Sequence, residues 1–210
     1  MSKTIVFQGD SITDAGRDYD LKLPANKGMG IGYPFLVMAQ LRASEPEKDW
    51  QIYNRGISGH QIVDLYARWK RDALNLKPDI LSILIGVNDT WHEDINQNGV
   101  EVPRYAQFYR MLLEWTRQVL PETKLVLMAP FVLPFGAVQP HWLPEMDARI
   151  AVVKKMAEEF KTVFIPTQTI LNDALKKAPQ EYWLRDGVHP TSAGHMLLAQ
   201  AWIEATEAIR

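Results

Sequence analysis

Apolar positions along the chain follow two periods. Residues 4–8 (TIVFQ), 50–54 (WQIYN), 80–86 (ILSILIG), 124–130 (KLVLMAP) and 162–166 (TVFIP) are short blocks rich in β-branched and aliphatic residues, each ended by or just before glycine or proline. A near-continuous apolar block is what a strand covered on both faces needs. Between the blocks the period lengthens to that of a helix. In PRYAQFYRMLLEWTRQVL, Tyr105, Phe108, Leu112, Trp115 and Val119 share one face. Ile62, Leu65, Trp69 and Leu74 repeat the pattern in HQIVDLYARWKRDAL, and EMDARIAVVKKMAEEF and SAGHMLLAQAWIEATEAIR supply two further helices.

Five strands alternating with helices predict a parallel sheet with helices on both faces, joined by right-handed crossovers. No internal repeat, low-complexity tract or linker interrupts the pattern, so residues 1–210 are expected to form one α/β domain. Three loops, residues 15–32, 91–102 and 131–143, are longer than a plain α/β unit requires. In such sheets ligands gather beyond the carboxyl ends of the strands. The polar signals fall there: Gly9-Asp10-Ser11 after the first strand, Gly56 after the second, and residues 86–89 after the third.

Composition narrows the field. At 47% hydrophobic, a chain of 210 residues can bury a substantial core. A formal net charge of -2 leaves no field that would draw it to nucleic acid or to an anionic membrane. The absence of cysteine excludes disulfides, thiolate zinc sites and cysteine nucleophiles. No apolar run approaches the ~20 residues of a membrane span, and MSKTIVFQGD holds no apolar stretch followed by a small-residue cleavage site. The expectation is a cytoplasmic protein acting on a small molecule.

Near the C-terminus, RDGVHPTSAGH sets Asp186 three residues before His189 on an apparent turn. Read locally, Asp186 makes the turn and His189 caps the next helix. Read chemically, the carboxylate orients an imidazole base. A base needs a nucleophile, and Ser11 stands at the carboxyl edge of the sheet; alone it reads equally well as a helix cap. Ser58, in GISGH, is the rival nucleophile. The order Ser, Asp, His is that of α/β-hydrolases, but no G-x-S-x-G string occurs. Donors for an oxyanion are offered by the Asn88 side chain and the Gly56 backbone N–H. Each has a bland alternative as a turn residue. Together they form a coordinated set at successive strand ends.

In this set the chain resembles the SGNH hydrolases, also called the GDSL esterase/lipase family. FQGDSITDAGR, NRGISG, IGVND and DGVHP are similar to that family's four blocks, in order. The resemblance implies a flavodoxin-like three-layer α/β/α fold with a five-stranded parallel sheet. It implies Ser11, His189 and Asp186 as nucleophile, base and acid, and Ser11, Gly56 and Asn88 as oxyanion donors. The stretch from NRGISGH to GVNDTWHE is further similar to bacterial intracellular acetylxylan esterases. That implies acetylated xylo-oligosaccharides as substrates, and a homo-oligomer. Two other readings stay open: a lysophospholipase or acyl-thioesterase of the same fold, and a non-catalytic carbohydrate-binding module.

Trp91, Trp142, Tyr182 and Trp183 lie in or beside the expected crevice, where aromatic faces would suit sugar rings or would simply pin loops. Arg17 would contact a polar substrate group or pair with an acid. Trp91, Arg17 and Trp183 are the candidate substrate contacts. WHED lacks a second histidine at zincin spacing, so no metal and no cofactor is expected. His195 is read as structural.

Overall fold

The computed structural model describes residues 2–20 and 27–210. Five strands, β1 (Thr4–Gly9), β2 (Gln51–Asn54), β3 (Ile80–Leu84), β4 (Lys124–Met128) and β5 (Val163–Ile165), form a parallel sheet in the order β2-β1-β3-β4-β5. The helices between them are α1 (Ser11–Asp14), α2 (Tyr33–Ser44), α3 (Ile62–Asp72), α4 (Val87–Asn96), α5 (Val102–Val119) and α6 (Trp142–Glu159), and α7 (Thr167–Ala174), α8 (Gln180–Trp183) and α9 (Ser192–Thr206) follow β5. Every predicted strand is present; five of the ten ends are trimmed by one or two residues, and β1 runs one residue further, to Gly9. Among the described residues no helix is long and apolar enough to cross a membrane.

The strands read as apolar blocks because both faces are covered. Ile5 and Phe7 join a core with Tyr33 and Val37 of α2 and Leu198 and Trp202 of α9. Val6, Leu81 and Ile83 join a second core with Trp69 of α3, Leu112 of α5 and Val153 of α6. The result is three layers around two cores, with alternate residues of each strand pointing to opposite sides. Ser82, the one polar residue of β3, accepts the indole N–H of Trp202 at 3.0 Å. Its hydroxyl is thereby satisfied inside an otherwise apolar face.

Helix α5 departs from the predicted face. Its buried residues are Tyr105, Tyr109, Leu112, Leu113 and Thr116, whereas Phe108 and Trp115 are half-buried against Tyr66 of α3 and Val119 is 51% exposed. The apolar stripe is wider than one face, and hydrogen bonding selects the rotation. Thr116 can be buried because its hydroxyl donates to the Leu112 carbonyl at 2.7 Å and accepts the Trp69 indole N–H at 3.0 Å. The expected loop at residues 91–102 is in its first half helical: α4 runs to Asn96. Residues 21–26 of the first long loop lie outside the described residues.

From β1 the chain passes to β2 on one side and then to β3 on the other. The loops leaving β1 and β3 therefore diverge and open a crevice at their carboxyl ends. Ser11 and Asn88 stand on its two banks.

Replacing Trp202 by phenylalanine removes the donor to Ser82 while keeping an aromatic ring in place. The expected loss is about 1–3 kcal/mol for the orphaned hydroxyl, read as a lowered midpoint in urea with unchanged slope. No loss would show that the buried hydroxyl is satisfied without the indole.

Candidate active site

An antiparallel bridge between Leu184 and Pro190 closes a tight loop after α8. Gly187 turns the chain at φ +87°, and a Cβ there would lie 2.2 Å from the Phe135 carbonyl oxygen and 2.6 Å from that of Leu133. Only glycine suits both the conformation and the space. The turn points the Asp186 carboxylate back along the loop. Its Oδ1 accepts the backbone N–H groups of Val188 at 3.0 Å and His189 at 2.8 Å. Its Oδ2 accepts the His189 ring Nδ1–H at 2.7 Å. With the proton on Nδ1, Nε2 offers a lone pair, and Ser11 Oγ–H donates to it at 2.9 Å. Burial alone would raise the Asp186 carboxyl, but the hydrogen bonds from the His189 backbone, the His189 ring and Val188 outweigh it and hold it below its ordinary value. The carboxylate stays charged and the imidazole tautomer is set.

Ser11 opens α1, where Asp10 caps the turn by accepting the Ile12 N–H at 2.9 Å. Asp14, at the other end of this turn, gathers the neighbouring loops. Its carboxylate accepts the backbone N–H of Arg17 at 3.0 Å, the backbone N–H of Ser58 at 2.9 Å, and the Tyr19 hydroxyl. The buried Arg68 guanidinium does the same from below. It donates to the carbonyls of Gly9 at 3.3 Å and Arg55 at 2.8 Å, and to His60 Nδ1 at 3.1 Å. Neither residue stood out in the sequence: Arg68 lies among the basic residues of ARWKR, and nothing local marks it as buried.

The loop after β2 corrects one expectation. The Gly56 N–H donates to Asn54 Oδ1 at 2.9 Å, and the Gly56 carbonyl accepts Arg17 Nε–H at 2.6 Å. A Cβ at Gly56 would lie 2.4 Å from Asp14 N, so this glycine is packed against α1. Its N–H is occupied and cannot also serve an oxyanion. Gly59 is different: it adopts φ +81°, open space surrounds its Cα, and its N–H makes no hydrogen bond among the described residues. Ser58 on one side lines the cavity with Ser11. His60 on the other accepts the Asn88 side-chain N–H at 3.1 Å. The free N–H of this loop thus lies between the nucleophile turn and Asn88. The clue was present in Asn54-Arg55-Gly56, since an asparagine takes the N–H two residues on in an Asx turn.

Ser11, Asp186 and His189 border a cavity of about 840 Å³ that Arg17, Tyr19 and Arg185 also line. Arg17 is buried, tied to Gly56 and stacked 4.2 Å from the Tyr19 ring centroid. It braces the wall of the cavity that it lines. Trp91 lies 5.8 Å from the His189 ring and 5.3 Å from buried Trp142, whose indole N–H donates to Asp94 at 2.6 Å. Trp183 is not part of the cavity wall. It packs on the core, and its N–H donates to the Ala178 carbonyl at 3.2 Å; it secures the end of α8 and does not face a ligand. The Ser58 hydroxyl has no imidazole partner among the described residues, which leaves Ser11 as the serine joined to a base.

Two buried acids flank the site. Burial, the largest cause for both, pushes Asp10 and Asp89 up to about 7, and the proximity of Asp89 adds to the rise at Asp10. In the unfolded chain both ionise near the ordinary value of 3.8. Between pH ~4 and ~7 the folded state therefore binds more protons than the unfolded one, and this contribution to stability is lost as pH rises. Asp10→Asn keeps the cap to Ile12 without the charge. Its melting temperature is expected to lie close to that of the wild type at pH 4 and to exceed it by at least about 2 °C at pH 8. A thermal scan at both values checks this, and a variant destabilised equally at both would refute it.

The GDSL-like lipase/acylhydrolase family model matches residues 7–197. The chain is 36% identical over 203 residues to an acetylxylan esterase of Geobacillus stearothermophilus, covering 95% of this chain and 91% of the relative. A crystal structure of that organism's acetylxylan esterase superposes with a TM-score of 0.88 at 36% identity, over 97% of this chain and 93% of the other. A structure from Parabacteroides merdae described as that of a GDSL-like lipase superposes with a TM-score of 0.94 at 41% identity, over 100% of this chain and 98% of the other. With sequence, fold and cavity in agreement, the chain belongs to the GDSL-like lipase/acylhydrolase family and is a carboxylic ester hydrolase.

Proposed function

We propose that this esterase removes acetyl groups from xylan-derived oligosaccharides by way of an acyl-enzyme. The observation that carries the proposal is the unbroken hydrogen-bond chain from Ser11 Oγ through His189 to Asp186 at the cavity wall. The 36% identity to an acetylxylan esterase along nearly the whole chain supports the substrate class. Ser11 Oγ attacks the ester carbonyl while His189 Nε2 takes its proton. Asp186 stabilises the imidazolium that forms. The charge that develops on the carbonyl oxygen is met by the second N–H of the Asn88 amide, the Gly59 N–H and the Ser11 N–H. Asn88 can contribute because its bond to His60 uses only one of its two amide hydrogens. The tetrahedral adduct collapses, His189 protonates the departing sugar oxygen, and water activated by the same ring releases acetate.

Ser11→Ala and His189→Ala are each expected to lower kcat by ~10⁵- to 10⁶-fold, and the double variant by hardly more, since the groups act as a unit. Multiplying losses would refute that unit. Asn88→Ala should lower kcat ~10²- to 10³-fold at nearly constant KM. An unchanged kcat would leave Asn88 a loop anchor.

Substrate class is tested with p-nitrophenyl acetate, butyrate and octanoate, followed by peracetylated xylobiose against ethyl acetate. A pocket closed around an acetyl group resists longer chains at roughly 1–3 kcal/mol of overpacking, so acetate should lead and the sugar ester should surpass ethyl acetate in kcat/KM. Preference for octanoate would instead support a lipid or thioester substrate. Failure of a fluorophosphonate to label Ser11 would point to a binding module.

A further inference from the structure

Part of the cavity wall takes no part in the acyl chemistry. His195, in the first turn of α9, is 5% exposed and lines the cavity with Ser11 and His189. Its Nδ1 receives the backbone N–H of Tyr33 at 3.2 Å. An N–H can only donate, so Nδ1 carries no proton and the neutral ring holds its proton on Nε2. That Nε2–H has no acceptor among the described residues. It is also not one of the atoms sealed inside the protein, as Asp89 Oδ2 and Tyr109 Oη are. Burial, helped by the charges of Arg185 and His189, pushes His195 down to about 4, so the ring is neutral at neutral pH. It is a fixed, single hydrogen-bond donor.

Arg185 stands on the rim of the same cavity, exposed, and its guanidinium forms no ion pair or hydrogen bond among the described residues. Its chain neighbour Asp186 is engaged by His189. The other carboxylate of the wall, Asp14, is filled by Arg17 N–H, Ser58 N–H and the Tyr19 hydroxyl. Arg17 shares its charge with that Asp14 environment and gives its Nε–H to Gly56. Arg185 is thus a positive charge without a local counter-charge, near a preset neutral donor. Both groups donate and neither accepts. A neutral sugar hydroxyl could answer the imidazole but would leave the guanidinium charge unmatched. A carboxylate, acceptor-only and anionic, answers both.

We propose that Arg185 and His195 form a subsite for a carboxylate on the sugar part of the substrate, so that the preferred esters are acetylated oligosaccharides bearing a uronic acid. The proposal deepens the carbohydrate-ester reading and rests on it for the identity of the ester.

The test has two arms. In the first, D-glucuronate and D-glucose compete with p-nitrophenyl acetate, which reads the subsite without assuming a natural ester. Glucuronate is expected to inhibit with a Ki about five- to tenfold below that of glucose, as one charge-assisted pair at a solvent-open site allows. The gap should narrow in about 0.5 M NaCl and close in Arg185→Gln. His195→Gln should weaken glucuronate more than glucose. Equal Ki values in the wild type, or a preference that survives Arg185→Gln, would overturn the subsite. In the second arm, kcat/KM is compared for acetylated xylo-oligosaccharides with and without a glucuronic acid branch. A preference for the branched ester that Arg185→Gln removes supports the proposal. Good turnover of both esters with no preference refutes the acidic subsite and leaves the deacetylase reading standing. Glucuronate inhibition without useful turnover of either ester refutes the deacetylase reading and leaves the subsite standing.

Discussion

The hydrogen bonds converging on the Asp186 carboxylate are the interaction on which the rest of the site depends. Two come from backbone N–H groups of its own turn and one from the His189 ring. They keep the carboxylate charged despite partial burial, and a charged carboxylate is what holds the ring proton on Nδ1 and a lone pair on Nε2. The turn is in turn gripped from outside. The Gly187 carbonyl accepts the Leu133 N–H at 2.8 Å, and the Asp186 carbonyl accepts the Ala137 N–H at 2.9 Å. The long loop between β4 and α6 therefore works as a cradle for the turn that carries Asp186 and His189, which accounts for its length.

Bringing that turn to Ser11 requires loops from several strand ends to meet without a disulfide to hold them. Buried polar side chains do this in their place. Asp14 binds the first loop to the one after β2, Asn54 reaches back to the carbonyls of Thr13 at 2.6 Å and Met29 at 2.9 Å, and Arg68 spans β1 and the β2 loop from beneath. Each of these groups is nearly saturated with partners, the condition under which a buried polar network fixes one geometry and not several. The exceptions are instructive. The N–H groups of Gly59 and of His195 Nε2 are without partners among the described residues beside the cavity. These are two of the donors that the proposed oxyanion stabilisation and carboxylate subsite would use.

The residues proposed to carry the chemistry stood out in the sequence because their signals are local. Asp186 and His189 lie three residues apart on a glycine turn, and the strands announce themselves as apolar blocks. Position at a strand end then carries Ser11 and Asn88 to the two banks of the crevice, since a parallel sheet sends all its carboxyl ends one way. What the local pattern could not rank was which of two glycines in NRGISG keeps a free N–H, which rotation α5 adopts, or whether Trp183 faces ligand or core. Each is settled by the side chains a residue meets, and those come from distant parts of the chain. Gly56 is occupied because Asn54 and Arg17 converge on it. Thr116 is buried because Trp69, 47 residues away, needs an acceptor.

By itself, then, the sequence determined the fold class through its periods, while turn chemistry, spacing and the family resemblance together named the candidate nucleophile, base and acid and the edge of the sheet where they lie. Only the tertiary structure decided which donors remain unpaired. His195 reads in sequence as an ordinary helix residue; it becomes a preset donor because the Tyr33 N–H, 162 residues away, occupies its other nitrogen. The physical reason is that a hydrogen-bonding group has finite capacity. Whether any of it is left for a substrate depends on what the fold has already brought within 3 Å or so of it.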